Sequence, residues 1–173
     1  MQKIYPVITA LLAVVIVIGF FLPWISVESP QMGAVTKILT GKQQFVDKIS
    51  AFRIPILANS NEGKLVISII QIFNPGIENA DKKSFLIWGI IVLAGAIVVL
   101  SFFLGKNPWV NLAIGILGVA IFAVAFFKIS TTSLDKIVLQ VKIREGLWMT
   151  LYAYLLIGGL SLVRFIQQIK QKT

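Results

Sequence analysis

Phe20-Phe21-Leu22-Pro23-Trp24 and Asp81-Lys82-Lys83-Ser84 bracket the stretch that decides how this chain folds. Residues 25–84 between them are polar and rich in turn signals, and an apolar run lies on either side. Ile4 to Trp24 holds no charged residue. About 20 helical residues, at ~1.5 Å each, cover the ~30 Å hydrocarbon core of a bilayer. Pro23 removes a backbone donor and marks the end of that span. Trp24 then falls where an indole is favoured, at the headgroup boundary. The run ends in bulky residues that suit a signal peptidase poorly, so the expectation is an uncleaved signal anchor.

Working outward, three more spans follow. Phe85 to Leu104 is uncharged, and Gly105-Lys106-Asn107-Pro108 reads as a tight turn. Trp109 to Phe127 comes at once, so these two spans form an antiparallel hairpin. Leu147 to Val163 is the last span, prolonged as a helix through Arg164-Phe165-Ile166 into a Gln/Lys tail. The spans are thus expected over 4–24, 85–104, 109–127 and 147–163.

Two polar segments remain, the insertion 25–84 and the loop 128–146. In the insertion, Ser29-Pro30 starts a helix that Gly41 ends. Phe52 to Leu57 reads as an edge or bent strand, because Pro55 cannot donate to a ladder. Asn59 and Glu62 form a capping box for a helix running to about Phe73. That helix carries one polar stripe, Lys64, Ser68 and Gln71, and belongs against the bundle or in the membrane interface. In the loop, Ile137, Leu139, Val141 and Ile143 alternate with polar residues, a strand signal. One strand is not stable alone, so it needs a partner from the insertion, near Phe52 to Leu57.

Composition bounds the chemistry. The 173 residues are 57% hydrophobic and 13% charged, against about 25% charged in soluble domains. There is no Cys and no His, which removes disulfides, thiol nucleophiles, the commonest general base and the usual zinc ligands. No catalytic, cofactor or metal constellation emerges, and the chain reads as a non-enzyme. The spans hold no charged residue before Arg164, whereas proton relays and charged-substrate transporters need such groups at membrane depth. The net charge of +9 fits contact with anionic headgroups. The basic residues are scattered, which argues against a nucleic-acid partner.

Two sets of residues stand out. Gly89 and Gly95 in the second span, with Gly115 and Gly118 in the third, are small enough to let a helix approach closely. They read as packing positions within the bundle or as a face for a partner subunit. Trp24, Trp88, Trp109 and Trp148 fall at span ends and read as interface anchors.

Four spans put both polar segments on one side and the termini with the Gly105 turn on the other. Lys3, Lys106, Arg164, Lys170 and Lys172 lie on the termini side, the rest of the sixteen basic residues on the other. A plain positive-inside count places the loops in the cytoplasm. The signal-anchor start and the short basic turn favour cytoplasmic termini in a cell (inner or plasma) membrane, and that is the orientation expected.

Leu22-Pro23-Trp24 at the exit of the first span resembles the Leu-Pro-x-Trp signature of the claudin and peripheral myelin protein superfamily. The order of span, long outer segment, span, tight turn, span, short outer segment with a strand, and span is similar too. The family's outer Gly-Leu-Trp and its two disulfide cysteines have no counterpart here. The resemblance implies adhesion by lateral self-assembly.

The expected fold is therefore an all-α membrane protein over 1–173. It is a four-transmembrane-helix bundle with a small α/β extracytoplasmic cap. The expected function is that of an integral membrane scaffold or accessory subunit that binds another protein. Lipid binding between the 61–73 helix and the bundle is the alternative, and claudin-like adhesion is a third. Membrane lipids and a protein partner, or a second copy, are the partners implied.

Overall fold

A computed structural model describes residues 4–29, 45–60, 85–131, 135–136 and 139–171. The helices expected at 30–41 and 61–73 lie outside the described residues. Helix α1 spans Ile4–Phe21 and leads through Leu22 into strand β1, Pro23–Ser29. Strand β2 (Phe45–Ser50) and the short helix α2 (Arg53–Asn59) follow. A 3-10 turn at Phe85–Trp88 runs into α3, Gly89–Phe103. Helix α4 is Pro108–Thr131, β3 is Asp135–Lys136, β4 is Leu139–Ile143 and α5 is Glu145–Lys170. Apart from the short α2, the helices make four segments long and apolar enough to cross a membrane, the layout of a multi-pass membrane protein.

The sheet differs from the expectation in an instructive way. Its order is β2-β1-β4-β3, with every pair antiparallel. The partner of β4 is β1: Ile25 faces Ile143 and Val27 faces Val141. Phe52 to Leu57 contributes no strand. Pro55 is the third residue of α2, in the first turn, where a backbone N–H has no intrahelical acceptor and its loss costs little. Asn59 closes α2, its Nδ2 donating to the Pro55 carbonyl at 2.8 Å. The first span also stops short of Trp24, because Pro23 sits at the first position of a strand, where a missing donor is tolerated.

Helix α5 packs extensively against both α1 and α4, and α3 packs on α1. Helices α3 and α4, although joined by the Gly105 turn, make few contacts with each other. They are consecutive and antiparallel without forming a closely packed hairpin. All four long helices still share one core, built from Ala13, Ile16, Ala94, Ile97, Ile114, Ala153, Tyr154 and Ile157. Tyr154 is fully buried, and its hydroxyl donates to the Ile90 carbonyl of α3.

A second cluster, Phe20, Trp24 and Ala51 with Phe52, Ile87 and Leu147 around them, joins the helices to the sheet. Phe20 meets Trp24 and Trp88 edge-on at 6.3 and 5.7 Å, an arrangement aromatic pairs prefer. The Arg144 N–H donates to the Trp24 carbonyl at 2.8 Å, tying the start of α5 to β1. The sheet thus sits at one end of the bundle; the Gly105 turn, the start of α1 and the end of α5 sit at the other.

Candidate functional site: the polar end of the bundle

Polar side chains gather where α1 begins and α5 ends. Ser161 donates to the Ile157 carbonyl one turn back, at 2.7 Å. A hydroxyl has one proton to give, so the 2.8 Å contact between Ser161 Oγ and the Tyr5 hydroxyl has Tyr5 as donor. That bond fixes the Tyr5 ring, which is itself buried. Arg164, one turn beyond Ser161, lays its guanidinium over the ring, with Cζ 4.1 Å from the centroid. Such stacking holds a cation without neutralising it. Arg164 Nη1 is buried and has no hydrogen-bond partner among the described residues.

The same end carries a clamp on the turn. Asn111, 0% exposed in the first turns of α4, donates from Nδ2 to the Gly105 carbonyl at 3.0 Å and to Gln168 Oε1 at 2.8 Å. Gln168 Nε2 donates in turn to the Gly105 carbonyl at 3.1 Å. The Gly105 carbonyl, in the turn that follows α3, is thereby satisfied by side chains of α4 and α5. Between α1 and α5 a cavity of ≈530 Å³ opens beside Tyr5, Arg164 and Gln168. The donors around it are a guanidinium and amides. The four described acidic residues, Glu28, Asp47, Asp135 and Glu145, belong to the sheet or to the first turn of α5, at the opposite end. Such a set can bind an acceptor-rich group.

The positions singled out in the sequence are distributed unevenly. Gly115 and Gly118 face α5: a Cβ on Gly115 would lie 2.6 Å from Leu162, and one on Gly118 would lie 2.6 Å from the Tyr154 carbonyl oxygen. Gly158 of α5 presses back on Gly115 and Val119. The two helices approach through these three glycines. Gly89 and Gly95 of α3 are different, because a Cβ on either would meet nothing within 4 Å among the described residues.

The tryptophans divide as well. Trp109 is 69% exposed at the turn end, tilted over Phe165. Trp88 is exposed on one side and packed on Phe52 with the other. Trp148 stacks on Tyr152. Trp24, expected as an interface anchor, is instead 8% exposed, with its indole N–H donating to the Gly19 carbonyl at 2.9 Å. It plugs the junction of α1 and the sheet.

Tyr5, Asn111, Arg164 and Gln168 were not prominent in the sequence. Asn111 did carry a signal, as a lone amide near the start of an apolar helix, which needs a partner there. No protein-family model, curated protein or solved structure matches the chain. The likeness to the claudin superfamily therefore rests on Leu22-Pro23-Trp24 and the order of the segments.

Proposed function

We propose that this chain is a membrane scaffold or accessory subunit, without chemistry of its own, that binds another membrane protein along the outer face of α3. The supporting observation is the open space at Gly89 and Gly95. Only Ala94, Ile97 and Ser101 of α3 are buried. Val92, Val99 and Phe103 are exposed on the other side, and Gly95 with Ala96 forms a notch between the two valines. Glycine inside a helix costs about 0.5–1 kcal/mol relative to alanine. No atom of the described chain requires that sacrifice at Gly95, whereas a partner helix seated in the notch would. The reading places the termini in the cytoplasm and the sheet on the outer side of the cell membrane, where the cap offers a second contact surface.

Tagged protein purified in mild detergent should bring down a stoichiometric membrane partner. Gly95→Leu should fold normally, since its side chain meets open space, and should lose that partner. Full retention of the partner by the variant would sink the proposal. Recovery of higher oligomers of this chain alone would favour adhesion by self-assembly instead.

A further inference from the structure

We infer that the groove between the first turn of α1 and the last turns of α5 binds the headgroup of an anionic phospholipid, with Arg164 as the phosphate ligand. The site lies on different helices from the α3 face, so it stands or falls independently of the partner reading.

Charge carries the first part of the argument. All seven acidic residues of the chain belong to 25–84 or 128–146. The described segments that build the Arg164 end contain none, but they do contain Lys106 and Lys170. Arg164 is partly buried, with Nη1 covered and without a hydrogen-bond partner among the described residues. A guanidinium at membrane depth normally pairs with an anion or with backbone carbonyls. None of the described acidic residues lies at this end of the bundle, so no described carboxylate pairs with this guanidinium. Arg is suited to a phosphate diester because its planar fork can donate two parallel hydrogen bonds.

Preorganisation is the second part. The Tyr5 ring is locked by its bond to Ser161, and the ring in turn holds the guanidinium in place. The side chain therefore loses little further freedom when it takes a ligand.

Depth is the third. Leu160 lies about one helical turn (~5.4 Å) inward from Arg164, and Ile8 about one turn inward from Tyr5. Gln167 and Gln171 lie outward along α5. All of these residues line the cavity. Ile4, Ile8, Leu160 and Val163 are exposed on its flanks, so it opens sideways. Read from the hydrocarbon outward, the groove offers aliphatic walls, then a cation, then amides. A phospholipid presents acyl chain, phosphate and headgroup hydroxyls in the same order. A free inorganic phosphate would use the cation but have no use for the aliphatic walls.

The test is thermal unfolding of the detergent-purified full chain, titrated with short-chain phosphatidylglycerol, short-chain phosphatidylcholine or inorganic phosphate. Phosphatidylglycerol should raise the Tm saturably, and the other two should not. Arg164→Gln should weaken the phosphatidylglycerol effect by about tenfold or more, Arg164→Lys should weaken it less, and Lys170→Gln should leave it nearly intact. Leu160→Trp fills the groove while leaving Arg164 and Tyr5 in place, and it should also abolish the effect. That variant decides the matter if Arg164→Gln fails to fold. An equal response to phosphatidylcholine, a response to inorganic phosphate alone, or undiminished binding by Leu160→Trp would each overturn the assignment.

Discussion

Gly118→Ala adds one methyl group at the close crossing of α4 and α5, and its effect can be worked out from the contacts. The new Cβ would lie 2.6 Å from the Tyr154 carbonyl oxygen and 2.9 Å from the backbone of Gly158. Real Cβ atoms essentially never approach closer than 3.0 Å, and both obstacles are backbone, so α5 as a whole must move. It cannot move freely. On its other side, Gly146 and Thr150 abut Gly19 of α1 with similar closeness. Overpacking of this kind costs about 1–3 kcal/mol, offset by about 0.5–1 kcal/mol from the better helix former. The expected net effect is a loss of about 0–2.5 kcal/mol, centred near 1. Gly95→Ala makes the same chemical change where nothing lies within 4 Å, and it should stabilise by about 0.5–1 kcal/mol. Reversible unfolding in mixed micelles, followed by tryptophan fluorescence, measures both. The opposite signs are the decisive feature. If Gly118→Ala proved as stable as Gly95→Ala, the close α4–α5 crossing would be wrong.

Two further outcomes are expected. Trp24→Phe deletes the indole donor to the Gly19 carbonyl and part of the ring volume between α1 and the sheet. It should cost about 1–3 kcal/mol and expose the cap to protease, whereas wild-type protease resistance would refute the plug role. For orientation, the chain has no native cysteine, so single replacements report cleanly. Lys48→Cys should react with an impermeant thiol reagent on intact cells and Lys106→Cys should not, while the reverse pattern would invert the topology.

The long helices were readable because bilayer thickness imposes a length that composition alone reveals. Strand β4 was readable because Leu139, Val141 and Ile143 alternate with polar residues. Strand β1 was hidden, since Pro23-Trp24-Ile25 continues the apolar run of α1 and hydropathy gives no sign of the change from helix to strand. Phe52 to Leu57 misled because a proline is compatible both with a strand edge and with a first helical turn, and only the tertiary setting chooses. The polar end was least legible. Tyr5 and Arg164 are far apart in the chain, and no local pattern says that one will stack on the other. Arg164 alone reads as the ordinary basic end of a span.

The pairing of β1 with β4 has a consequence for synthesis. Ser29 and Leu139 are separated by nearly the whole middle of the chain. At ~5–20 residues per second, that gap takes a ribosome roughly 5–20 s to cover. Throughout that interval β2 is the one partner of β1 among the described residues that has been made, and the edge that β4 will cover is open to wrong partners. The helix shared by α1 and α4 emerges later still. Closure of both layers therefore waits for residues 135–170, which seal the sheet and wedge between two helices already made. A nascent chain stalled after Thr131 would hold α1, α3 and α4 but neither the β4 strand nor the α5 helix that closes on them.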